Sequence, residues 1–92
     1  MKTYLFGTMG KAHFDTCGTA KAFYVDYAGG CTTANDSQVW IPRSICICEE
    51  PNEFGNMRIY IPMWFFTKNR IDWRRIRDIT FGEAGVGYTV QR

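Results

Sequence analysis

Two phrases constrain this chain more than anything else in it: Val39-Trp40-Ile41-Pro42-Arg43-Ser44 and Ile59-Tyr60-Ile61-Pro62-Met63-Trp64. Each is a β-type run halted by proline, which has no N–H to give a strand ladder and therefore stands at a strand's end or edge. The residues around them alternate. Phe23, Val25 and Tyr27 interleave with Tyr24 and Asp26, and Met57, Ile59 and Ile61 with Arg58 and Tyr60. A period of two is the mark of a half-buried strand, so Arg58 and Tyr60 are expected on the solvent side. Val39 and Ile41 likewise face away from Trp40.

The remaining elements follow from the same signals. Residues 4–9 and 12–16 read as one strand interrupted at Gly10, or as two short ones. Ile45 and Ile47 share one face of a strand, with Cys46 and Cys48 on the other. Pro51, Asn52, Gly55 and Asn56 sit between two alternating runs and predict a hairpin. Residues 32–37 form a polar loop of turn formers. Pro62 suits the first position of a helix over 63–68, with Asn69 as its left-handed cap. Asp72 is placed to cap a second short helix carrying Trp73 and Ile76 inward. The tail over 81–87 is glycine-rich and expected to be flexible, and 88–90 adds an edge strand. The whole predicts a single α+β domain over 1–92. Its expected form is a small twisted antiparallel sheet or partly open β-barrel, with one or two short helices toward the C-terminus.

Ninety-two residues with 46% hydrophobic and 16% aromatic content suffice for one core and exclude a disordered chain. The aromatics are expected to supply most of that core, with Trp64 as an anchor. The N-terminal residues lack the apolar stretch of a signal peptide, and no run is long enough to span a membrane. A cytoplasmic setting is expected, with Cys17, Cys31, Cys46 and Cys48 as reduced thiols.

No catalytic constellation is legible. The four cysteines and the single His13 lack a Cys-x-x-Cys knuckle, so inert thiols are favoured over a zinc site, and no cofactor is expected. His13 and Asp15 would share one face of a strand, but no nucleophile is visible beside them, and a surface histidine is the better reading. No phosphate-binding glycine loop is present. The expectation is a non-enzymatic protein with no small-molecule substrate.

Charge is more informative. The net charge is only +2, yet Arg58, Lys68, Arg70, Arg74, Arg75 and Arg77 fall within one fifth of the chain with Asp72 as the lone acid among them. Glu49, Glu50 and Glu53 lie just upstream. Such polarity favours an oriented encounter with a charged partner. Helical spacing would align Arg70, Arg74 and Arg77, and arginine's planar fork pairs bidentately with phosphate or carboxylate. These six residues are the expected binding set, with Lys68 and Arg58 peripheral. The 32–37 loop is the fallback.

Lys21-Ala22, Val39-Trp40-Ile41-Pro42-Arg43-Ser44 and Ile61-Pro62-Met63-Trp64 together resemble a loosely defined set of small phage and prophage proteins. The resemblance spans roughly half the chain. It departs at Phe65-Phe66, where more polar residues would be usual, and in the extension beyond Ile71 that carries Arg74, Arg75 and Arg77. In size, solitary domain and charge polarity the chain looks like an anti-CRISPR protein. The resemblance implies a phage-encoded inhibitor of a host nucleoprotein complex in the bacterial cytoplasm. Its partner would be a CRISPR-Cas ribonucleoprotein, met through protein or guide RNA. The alternative is a small single-stranded nucleic-acid-binding accessory of phage replication or recombination.

Overall fold

The computed structural model describes residues 3–27, 38–82 and 88–91, the last by backbone alone. The expectations for the 32–37 loop and for most of the 81–87 tail lie outside the described residues. The chain is an α+β fold in which a five-stranded antiparallel sheet faces a two-stranded one. Strand β1 (Thr3–Gly10) is central. It pairs along its length with β5 (Asn56–Pro62) on one side, and with β6 (Thr80–Phe81) and β7 (Tyr88–Gln91) on the other. The short β4 (Ile47–Cys48) completes the sheet beyond β5. The second sheet pairs β2 (Ala22–Asp26) with β3 (Gln38–Pro42).

The core lies between the two sheets, and alternation puts it there. Leu5, Gly7 and Met9 of β1 stand opposite Ile61, Ile59 and Met57 of β5, so one face of the central pair is continuously apolar. Phe23 and Val25 meet Ile41 and Val39 in the facing sheet, and all of these side chains are buried. Helix α2 (Met63–Asn69) closes the layer with Phe65 and Phe66. The described strands form two facing sheets, not a barrel.

Four local expectations are corrected. Residues 12–16 do not form a strand. Lys11–Thr16 is a short helix, α1, in which Lys11 Nζ pairs with Asp15 Oδ2 at 2.7 Å one turn on and Thr16 Oγ1 donates to the Ala12 carbonyl. Helix therefore separates His13 from Asp15. Residues 43–45 form a single 3-10 turn, so β4 keeps only Ile47 and Cys48. The cause is Arg43, whose guanidinium donates to the carbonyls of Phe14 and Thr19 and lies over the Phe14 ring at 4.8 Å. The Pro-Arg step is thus a clamp that turns the chain toward α1.

Tyr60 was expected outside, and it is buried. Its ring stacks on Phe6 with centroids 5.1 Å apart and its hydroxyl donates to Glu49 Oε2 at 2.8 Å, so the outer face of the main sheet is itself partly packed. Finally, Trp64 is not a core anchor. It is 49% exposed, whereas Phe65 and Phe66 are 7% and 2% exposed. Pro62 stands just before α2 and Met63 is its first residue, as the 63–68 range predicts. The helix then turns its second residue outward and its third and fourth inward.

The burial difference sets the energetics. Removing a buried phenylalanine ring costs the transfer of its surface plus a cavity, about 3–5 kcal/mol. We predict that loss for Phe66→Ala and less than about half of it for Trp64→Ala, read from chemical denaturation of the two variants. Equal losses would put the Trp64 ring in the core.

Candidate binding face: arginines around Trp73

The arginine-rich segment follows α2. Its first member, Arg70, occupies the left-handed position that ends the helix, with φ 56° and ψ 44°. The Arg70 N–H donates to the Thr67 carbonyl and the Ile71 N–H to the Phe66 carbonyl, the paired bonds of a Schellman motif. Glycine or asparagine usually stands there, because a Cβ crowds the following carbonyl. Asn69 was expected in this role. It is instead the last helical residue, and its side-chain amide donates to the Phe65 carbonyl.

Asp72 caps the next turn as expected, its Oδ1 accepting from the Arg74 N–H at 3.1 Å. That turn is one 3-10 turn, Trp73–Arg75, rather than a helix. The chain then runs extended, and several bonds dock it on β2. Ile76 bridges to Tyr27, the Arg77 N–H donates to the Asp26 carbonyl at 3.0 Å, and the Asp72 N–H donates to the Tyr27 hydroxyl at 3.0 Å. The Asp26 N–H donates to Asp78 Oδ2. A few residues later the chain pairs with β1 as β6, so residues 76–81 join the two sheets.

Trp73 stands at the centre of this face. Its ring meets Phe81 edge-on at 5.7 Å, and Phe81 meets Phe66 at 6.0 Å, so the half-buried indole is held from below. The Arg74 guanidinium lies 5.4 Å from the indole centre. Two open grooves meet at this pair. One, of about 400 Å3, is lined by Met63, Phe66, Ile71 and Trp73 together with Arg70 and Arg74. The other, of about 210 Å3, lies between Trp73, Arg74, Arg77 and Phe81.

The structure therefore brings Arg70, Arg74 and Arg77 around one aromatic ring, although no helix aligns them. Arg74 Nε pairs with Asp72 at 3.0 Å and Arg75 Nε reaches the same carboxylate at 3.9 Å. The hydrogen bond from Arg74 holds the Asp72 carboxyl below its ordinary range, with Arg75 adding to the effect. Among the described residues no carboxylate pairs with Arg70 or Arg77. Lys68 is exposed on α2 and lines neither groove. Arg58 is elsewhere, on β5, where it reaches Glu49 at 3.9 Å and lies over the Phe6 ring at 5.7 Å.

Other chemistry-bearing side chains have structural partners. His13 Nε2 lies 2.8 Å from the Tyr24 carbonyl oxygen and 3.8 Å from Asp78, tying α1 to β2 and to the docked segment. The neighbouring Cys17 thiol holds the Tyr24 hydroxyl above its ordinary pKa. Burial pushes the Cys46 thiol up to about 12, with the Cys48 sulfur adding to it, so Cys46 is a poor nucleophile at neutral pH. Among the described residues no three His, Cys, Asp or Glu side chains gather as metal ligands. No described helix is long and apolar enough to cross a membrane. No family model, curated protein or solved structure matches this chain.

Sequence reasoning placed the arginines and set Trp73 inward beneath them, but missed Phe81 as the ring that holds Trp73 and Arg43 as a structural cation. The Asp-Trp-Arg order carried the first reading, since a capping acid fixes the residues after it. Arg43 could have been found from its place directly after the strand-ending Pro42.

The conformation of Arg70 yields a prediction. Relieving the left-handed strain should make Arg70→Gly more stable than the parent by about 0.5–1 kcal/mol in urea denaturation. A loss of stability in that variant would mean that the Arg70 side chain contributes to the fold.

Proposed function

We propose that this chain is a phage-encoded, non-enzymatic binding protein that blocks a host nucleoprotein complex in the bacterial cytoplasm, with a CRISPR-Cas ribonucleoprotein as its target. The observation that carries the reading is the convergence of Arg70, Arg74 and Arg77 on Trp73 across two open grooves of mixed polar and apolar lining. Two of the three guanidiniums form no ion pair with a carboxylate among the described residues, and the ring beneath them is packed in place. Such a face offers bidentate donors to phosphate or carboxylate and an aromatic surface beside them. The Asp72–Arg74 pair is exposed and worth about 0.2–1 kcal/mol, little enough for Arg74 to change partners on binding.

A second reading, a single-stranded nucleic-acid-binding accessory, draws on the same ring. An indole flanked by arginines suits base stacking with cations along the backbone. The two readings separate on naked nucleic acid. The inhibitor needs no affinity for it, whereas the accessory binds free single strands with an affinity that falls steeply as salt rises.

In CRISPR-immune cells expressing the chain, phage plating should recover, and Arg74→Glu with Arg77→Glu should abolish that recovery while shifting the melting temperature by only a few degrees. Unchanged plating with the parent chain would reject the inhibitor. Full activity of the double variant would move the interface off this face.

A further inference from the structure

The end of the molecule away from the Trp73 face carries the most exposed large apolar side chain among the described residues. Phe54 is 80% exposed at the tip of the β4–β5 hairpin. The tip is built to hold still. Asn52 Oδ1 accepts from the N–H groups of Phe54 at 2.9 Å and Asn56 at 3.0 Å. The Asn52 N–H donates to the Asn56 carbonyl and the Gly55 N–H to the Asn52 carbonyl. Gly55 takes the positive φ of 83° that the turn requires, and its carbonyl accepts from the Lys11 N–H at 2.8 Å, which moors the tip to α1. A ring held out in water gains nothing for the fold, and an aromatic carried on a turn whose backbone is fixed binds at low entropic cost.

The charge around the ring indicates what it meets. Glu50 and Glu53 flank it, both exposed, and among the described residues no cation pairs with either. The tip is therefore an apolar plug in an acidic collar. The complementary surface is on the same chain: the larger groove, lined by Met63, Phe66, Ile71 and Trp73 with Arg70, Arg74 and the Asp72 that pairs with Arg74, two cations against one acid. The two surfaces cannot meet within one molecule. The hairpin tip precedes β5 and α2 follows it, so they stand at opposite ends of a seven-residue strand, about 20 Å apart.

We propose that the chain associates head to tail with a second copy of itself, Phe54 of one molecule entering the Arg70–Arg74 groove of the next. Glu50 and Glu53 then face the arginines. Because the contact joins two different surfaces it is heterologous and repeats, giving short open chains unless a ring closes. The association does not depend on the identity of any host target, and it occupies the groove that a target would use.

The test uses the purified full chain under reducing conditions, in sedimentation velocity across a concentration series. The sedimentation coefficient should rise with concentration and fall back as salt is raised. Phe54→Ser should weaken association at least about tenfold, as expected for a central aromatic anchor, with an unchanged melting curve. Glu53→Arg and Arg74→Glu should each remain monomeric alone, and mixing them should restore a one-to-one complex, because the Arg74→Glu variant keeps the native tip and the Glu53→Arg variant keeps the native groove. A chain that is monomeric throughout overturns the proposal. So does association that survives Phe54→Ser, which would place the contact on another surface, or a mixture of the charge variants that stays monomeric. All readouts concern the chain alone, so phage plating succeeds or fails independently of them.

Discussion

The missing side chain at Gly7 is the constraint on which the rest of the structure depends. Gly7 lies in the middle of β1 on its inward face, opposite Ile59 on one side and Phe81 on the other. A Cβ there would come within 2.7 Å of Ile79 Cγ2 and 3.0 Å of the Thr80 carbonyl oxygen. Only a bare backbone lets the chain lie this close. Ile79 and Phe81 become core residues because of that approach, and Phe81 then contacts both Phe66 of α2 and Trp73 of the arginine face. One glycine thus connects sheet packing to the surface chemistry.

The binding face inherits its rigidity from this arrangement and not from regular secondary structure. Residues 72–81 contain one 3-10 turn and a two-residue strand, yet they are bonded to β2 at one end and to β1 at the other. Buried backbone groups need partners, and here the partners come from two different sheets. Arg74 and Arg77 project from this segment fixed at both ends, and Arg70 from the cap of α2 just before it, which limits the entropy lost when they engage a ligand. The left-handed Arg70 adds a local strain that a glycine would have avoided, and a guanidinium in such a place fits a residue kept for its side chain.

Much of the fold was legible because burial acts on alternation. The pairs Phe23/Val25, Val39/Ile41 and Met57/Ile59/Ile61 each needed a common face, and the two sheets provide it. The Asn52–Asn56 turn and the cap at Asp72 were legible for a local reason, since their hydrogen bonds close within a few residues. The failures were all matters of tertiary partners. Residues 11–16 carry no strong helical period and take their form from the Lys11–Asp15 pair and the Arg43 clamp. Tyr60 looked outward until Phe6 was found beside it. Trp64 is exposed because α2 turns Phe65 and Phe66 to the core and leaves Trp64 on its outer side, a choice made by what the helix packs against. For the candidate site, composition revealed the cations, but the grouping around Trp73 depends on Phe81, a residue that sequence placed in the tail.

The central claim is that residues 72–81 are held as firmly as the core although they are almost devoid of regular structure. Native-state amide hydrogen exchange measures this directly, at the Arg77 N–H bonded to Asp26 and the Asp72 N–H bonded to Tyr27. Both should exchange with the same opening free energy as the Val25 amide of β2, and in Gly7→Val both should lose protection before Val25 does. Exchange of the Arg77 amide at the rate of an unstructured peptide, with Val25 still protected, would contradict the account.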